Sequence, residues 1–415
     1  MIMRLILFLT LSFTLFSESY LIKPKYVLDV ETGELNRLEI KVEEGIISEI
    51  GTNLSSKGVE VLLLPNTILM PGLIDTHVHL IGNNELNGYE SVGESSYLAT
   101  LYGVKNAEAT LLAGFTTVRN VGAGNYTDVA LKRAINRGVI VGPRMYVSGP
   151  PLGITGGHCD NNLMPYERSR PNQGVVDSPW QARQKVRENR KFGADLIKFC
   201  ATGGVMSKNT DVDAKQFTYE EMKAIVDEAH NHGMKVAAHA HGLEGIKTAL
   251  LAGVDSIEHS SFINEEVTFL AIQNGAFLSM DIYVSDYILG EGAKKGILEE
   301  SLEKEKKVGL EQRKNFKKAV ELGAKITFGT DAGIYKHGDN AKQFAYMVEW
   351  GMSPLQAIQA ATITSSELIG NNNLGRIKLG YAADLVGVKS NPLKNIRVLE
   401  DVSFVMKEGT VFKSQ

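Results

Sequence analysis

Three histidine pairs in this chain have the spacing His-x-His: His77 and His79 in "DTHVHL", His239 and His241 in "AAHAHG", and His230 and His232 in "AHNHG". Side chains two residues apart share a face on a strand and diverge on a helix. The first two pairs end apolar, strand-like runs, so the members of each pair project to the same side. His230 and His232 instead close an amphipathic helical segment, where histidine suits the negative end of a helix dipole, and they read as structural. His259 in "SIEHS" and Asp331 in "FGTDAG" also stand at the ends of strand-like runs. Imidazole and carboxylate are ligands for zinc and related divalent ions. The set therefore points to metal chemistry.

A lysine complicates this picture. In "ADLIKFCATGG", Lys198 sits within an apolar run between Ile197 and Phe199. A buried ammonium costs several kcal/mol unless it is paired, roughly 3–5 kcal/mol for an uncompensated charge. Two metal ions about 3.5–4 Å apart need a bridging anion. A neutral lysine amine that takes up carbon dioxide becomes a carbamate with two oxygens, which converts the buried cation into such a bridge. The plainer reading pairs Lys198 with Asp195 or Asp331.

The elements that must position these groups are visible from Leu73 onward. Eight strand-like runs ("GLIDTHVHL", "FTTVRNV", "RMYVSG", "ADLIKFCA", "KVAAHA", "VDSIEHS", "AFLSMDIY" and "KITFGTD") alternate with segments able to form helices. The clearest helix is "FTYEEMKAIVDEAHNHG", with Thr218 and Glu221 as a capping box and Gly233 as its stop. Eight βα units predict an α/β fold, a (β/α)8 TIM barrel over residues 71–370. Active sites of that fold form where the strands end. Residues 20–70 and 371–415 alternate as short strands and are expected to pair into one small β-sandwich domain from both chain ends.

The N-terminal "MIMRLILFLTLSFTLFSES" has a basic Arg4, an apolar run and small residues at Ser17 and Ser19. This is the layout of a signal peptide over residues 1–19, which predicts a secreted or periplasmic protein; a mis-assigned start would leave it cytoplasmic. No later stretch approaches the ~18 apolar residues of a membrane span. The net charge of −4 and 22% charged residues give no basic footprint for nucleic acid, and the Lys/Glu-rich "EESLEKEKK" reads as a solvated face. The two cysteines, Cys159 and Cys200, exclude a disulfide framework as the main source of stability.

Taken as a set, "DTHVHL", Lys198, "AAHAHG", "EHS" and "GTDAG" resemble the amidohydrolase superfamily. "GFTTVRNVG", "GITGGHCD", "ATGGVMS" and "HGDNAKQF" are similar to its imidazolonepropionase-related branch, and within it to zinc-dependent arginine and lysine carboxypeptidases. The resemblance implies two divalent metal ions, zinc by preference. His77, His79 and Asp331 would hold the inner ion, His239 and His259 the outer, with N6-carboxylated Lys198 bridging them. Asp331 would move the proton from the attacking water to the leaving amine, and His158 would donate to the developing oxyanion, unless it is a surface loop histidine. The implied substrate is a small peptide or N-acyl amino acid that releases a C-terminal residue, arginine or lysine. Its carboxylate would sit on the backbone N–H groups of Gly204 and Val205 with His241. The related proline dipeptidases carry tyrosine at the His241 position, which argues against a proline dipeptide. Asp160, Asp281 and Asp286 are candidates to meet a basic side chain, though solvation is the simpler reading of each. A mononuclear deaminase or cyclic-amide hydrolase would have no use for Lys198, and a non-catalytic scaffold would be expected to have lost ligands. Homo-oligomerisation is left open.

Overall fold

The structure is a computed structural model that describes residues 19–415. The expected leader, residues 1–19, lies outside the described residues apart from Ser19. No helix among the described residues is long and apolar enough to cross a membrane.

The strands are β1 (Tyr20–Leu28), β2 (Leu35–Asn36), β3 (Glu39–Glu43), β4 (Ile46–Gly51), β5 (Glu60–Pro71), β6 (Leu73–Val78), β7 (Phe115–Asn120), β8 (Arg144–Val147), β9 (Leu196–Cys200), β10 (Lys235–Ala240), β11 (Ser256–His259), β12 (Phe277–Ser279), β13 (Lys325–Thr327), β14 (Leu385–Val388), β15 (Phe404–Lys407) and β16 (Thr410–Ser414). The eight expected barrel runs are β6 to β13. They pair in parallel as β6-β7-β8 and as β9-β10-β11-β12-β13. Backbone hydrogen bonds close both gaps. Asp195 N–H donates to Val147 O and Leu152 N–H to Lys198 O on one side, and Thr76 N–H donates to Phe328 O on the other. The ring is therefore a (β/α)8 barrel, and its strands read as near-continuous buried runs because helices cover their outer faces.

Register sets the height of each functional residue. Ala237 pairs with Lys198, His239 with Cys200 and with Glu258, and Ala240 with His259. The strand-end residues are thus brought level at one mouth.

The connecting helices follow their local signals. Thr218 and Glu221 form the expected capping box, opening the helix Tyr219–Asn231, whose buried face carries Met222, Ile225, Val226 and Ala229. His230 at its end lies on Asp255 (2.8 Å) and His232 on Glu228 (3.2 Å), away from the barrel mouth. His230→Ala should lower stability by no more than about 1 kcal/mol in thermal denaturation and leave turnover unchanged. A fall in activity would place His230 in the site.

Strands from both chain ends join in one hydrogen-bonded sheet of order β16-β15-β14-β5-β1-β3-β4, with β2 on β1. Most neighbours are antiparallel, but β1 and β5 run parallel. One face carries a small core of its own, including Ile22, Ile40, Leu69, Leu385 and Phe404. Ile68, Met70, Val386 and Val405, which point the other way as strand alternation requires, join the main core of the barrel.

Candidate active site

The strand ends meet at one cavity of about 490 Å³, lined by His77, His79, His158, Lys198, Val205, His239, His241, His259 and Asp331, among others. His77 Nε2 and His79 Nε2 stand 3.5 and 3.3 Å from Asp331 Oδ1. Donor atoms of His77, His259 and Asp331 lie within 4.8 Å of one another, and so do those of His239, His241 and His259. Two overlapping donor groups that share His259 fit two neighbouring ions. The geometry does not set His241 apart from the outer pair His239 and His259; its Nδ1 is held by Ser261 Oγ at 2.7 Å.

Backbone conformation marks the same positions. His259, Ser260 and Asp331 have φ of 69°, 53° and 54°. Residues with a Cβ are held in the left-handed region at a cost of about 1–3 kcal/mol each, a strain that clusters at functional sites. Gly333, at φ +125°, completes the turn after Asp331, and a Cβ there would lie 2.6 Å from His79 O. Below the turn, buried Asp75 accepts from Thr330 Oγ1 (2.6 Å) and Asn340 Nδ2 (2.9 Å). Burial pushes its carboxyl up to about 7.

Lys198 is 4% exposed. Asp195 does not pair with it; that carboxylate is taken by Lys132 and the Val147 N–H. Among the described residues no carboxylate lies within ion-pair distance of the Lys198 amine. Burial brings its pKa down to about 8. An unpaired buried amine among histidines is what the donor set needs in order to gain an anion, so the residues present fit two divalent ions.

A layer of charged groups behind these histidines orients them. His77 Nδ1 is 2.9 Å from Glu258 Oε2, and Glu258 accepts from Arg119 Nη2 at 2.7 Å. Burial opposes ionisation of Glu258, but Arg119 and His77 outweigh it and hold the carboxyl well below its usual range. Asp281 lies 2.9 Å from His259 Nδ1 and accepts from Gln312 Nε2 at 2.8 Å. It raises the His259 pKa against the effect of burial. Asp281 is thus committed to a histidine and is not free to meet a substrate side chain. The Asp331 carboxyl, despite burial, is held well below its usual range by the hydrogen bond from His79 and by the neighbouring His77.

His158 is at the cavity and not a surface loop histidine. Its ring stacks on His239 at 4.1 Å, and its Nδ1 is 2.9 Å from Ser207 Oγ. Burial first, then the positive His259 and Lys198, pushes its pKa down to about 3, so the ring is neutral. A Ser207 hydroxyl donating to Nδ1 would leave the ring proton on Nε2. Gly204 makes the approach possible, since a Cβ there would lie 2.3 Å from the His158 ring. The Gly204 N–H is spent on Thr210 Oγ1 (3.3 Å), whereas the Val205 N–H has no partner among the described residues. Lys304 fixes this loop from a distant helix by donating to Ser207 O at 2.6 Å.

Two expected substrate residues are not brought to the cavity. Asp160 turns onto the backbone N–H groups of Gly156, Asn161 and Asn172, a loop-closing role. Asp286 pairs with Arg313 (2.7 Å) and Tyr346 outside the mouth. The cysteines form a disulfide with a Cα–Cα distance of 6.1 Å, tying the His158 loop to the end of β9. An even cysteine count was the signal available for it.

The amidohydrolase family model matches residues 68–412. This chain belongs to the amidohydrolase family. Ochratoxinase of Aspergillus niger is 34% identical over 370 residues, covering 83% of this chain and 76% of the relative. A solved Xaa-Pro dipeptidase with methionine bound in its active site superposes with a TM-score of 0.91 at 37% identity, covering 96% of this amidohydrolase and 100% of that chain. A prolidase complexed with N-methylphosphonate-L-proline gives a TM-score of 0.87 at 30% identity, covering 96% and 100%. This amidohydrolase is accordingly a hydrolase acting on C–N bonds, in a superfamily whose members are metal-dependent.

Proposed function

We propose that this amidohydrolase releases the C-terminal amino acid, arginine or lysine, from dipeptides, short peptides or N-acyl amino acids. The observation that carries this reading is the Val205 N–H, which has no partner among the described residues; Val205 and His241 both line the cavity, where they can receive a terminal carboxylate.

His77, His79 and Asp331 would hold one ion and His239 and His259 the other, with carboxylated Lys198 between them; zinc suits these ligands. When bound, the ions supply Lewis acidity and lower the pKa of water. The chain does the rest. Asp331, kept ionised by its histidine neighbours, takes the proton of the attacking water and delivers it to the departing amine, general base and then general acid. The His158 Nε2–H donates to the carbonyl oxygen as charge builds there. Val205 and His241 fix the carboxylate and so set which bond reaches Asp331.

Proline-terminated dipeptides are the competing substrates, because two solved neighbours are a Xaa-Pro dipeptidase and a prolidase. The apparent leader supports export, with the enzyme acting on peptides outside the cytoplasm. Amidating the substrate's C-terminus should abolish release of the terminal residue, measured by amino-acid analysis, because the seat then has no anion to hold. Efficient cleavage of the amidated peptide would remove the C-terminal reading.

A further inference from the structure

The helix Glu299–Glu321 begins in the Lys/Glu-rich stretch, yet it buries Leu302, Lys304, Glu305, Val308 and Gln312. Glu305, Val308 and Gln312 line the active-site cavity. Glu305 is 2% exposed, and its one hydrogen bond comes from Ser285 Oγ. No cation lies within ion-pair distance of it among the described residues. The nearby basic groups are engaged elsewhere, Arg313 with Asp286 and Lys304 with Glu300. About two helical turns on, Gln312 has its Nε2 fixed by two acceptors, His259 O (3.1 Å) and Asp281 Oδ1 (2.8 Å). That settles which end of the amide is which, and its Oε1 is buried with no partner.

A carboxylate with a single hydroxyl donor and an amide oxygen with none therefore stand on one face of one helix, beside apolar walls from Val284, Ile288 and Val308. A buried polar atom is normally satisfied, so the pair calls for a donor that arrives from the cavity. Lysine and arginine match. Each has an aliphatic stem for the apolar walls and a head that only donates. The same helix contacts the carboxylate seat, because Lys304, adjacent to Glu305, holds the carbonyl of Ser207. One released amino acid can thus meet Val205 through its carboxylate and Glu305 through its side chain. Burial pushes the Glu305 carboxyl up to about 7, a cost that a neighbouring cation would offset.

We infer that Glu305, with the free Oε1 of Gln312, is the seat for the cationic end of the released residue and determines a preference for C-terminal lysine or arginine. This rests on the reading that the enzyme releases C-terminal residues. It replaces Asp160, Asp281 and Asp286 as the origin of that preference.

The test compares kcat/KM for N-acetyl-lysine, N-acetyl-arginine, N-acetyl-methionine and Ala-Pro in the metal-loaded enzyme and in Glu305→Gln. Wild type should favour lysine and arginine over methionine, and the variant should reduce that ratio by about 10- to 100-fold, mainly through KM. Inhibition of wild type by free L-lysine and by L-norleucine, which lacks only the ammonium, needs no variant and should favour lysine. Methionine preferred by wild type, a ratio unchanged in Glu305→Gln, or norleucine binding as well as lysine would each overturn the seat while leaving C-terminal release intact. Absence of amino-acid release from all four substrates would instead defeat the underlying reading.

Discussion

Lys198→Ala is expected to leave a folded barrel that turns over dipeptides at least about 1,000-fold more slowly, a loss of ~4 kcal/mol in transition-state stabilisation. The fold should survive, because the side chain makes no ion pair among the described residues and its removal takes an uncompensated amine out of the interior. The site should not. Without the amine the proposed carbamate cannot form, which leaves five of the proposed ligands, four of them neutral imidazoles, to hold two dications. Metal content should fall below two per chain by elemental analysis, while the thermal midpoint of the metal-free protein moves by only a few degrees. Short-chain carboxylic acids should restore part of the activity by occupying the vacated space. Full metal content with normal turnover in the mutant would refute the carbamate.

Asp331→Asn is expected to lower kcat/KM by at least about 100-fold, ~2.7 kcal/mol, with most of the loss in kcat. The amide is nearly isosteric and can still accept from His79, so the turn and the substrate seat should persist. It can neither take a proton from water nor return one to the amine. Metal content must be measured alongside, because a charge in the donor set is lost too. A fall of less than about tenfold with the metals retained would leave Asp331 as a ligand only.

Much of this site can be read from the chain because strand ends announce themselves. His77, His79, Lys198, His239 and His259 interrupt or close apolar runs, and the two-residue period of a strand fixes which way they point. The groups behind them are not readable in that way. Glu258 adjoins a ligand and Arg119 sits inside "TTVRNV", but only the closed barrel shows that they meet each other beneath His77. Asp281 and Asp286 are alike in sequence, and five residues decide that one backs His259 and the other faces solvent. Glu305 was hidden by composition, since in "EESLEKEKK" charge on three sides of the helix conceals one buried face. Asp160 failed as a substrate residue because a short side chain in a glycine-rich loop finds backbone donors sooner than a ligand.

The sheet built from both chain ends has a consequence for the order in which the molecule is made. β14 pairs with β5 through Leu385 and Pro71, and a single residue, Gly72, separates β5 from β6, the strand that carries His77. A growing chain presents β5 early and β14 almost last, so the first ligand strand spends nearly the whole of synthesis attached to a half-made sheet with one edge open. Contacts of such long sequence separation form slowly. Completion of the sheet beside the first of these strands is thereby deferred until the final residues have emerged.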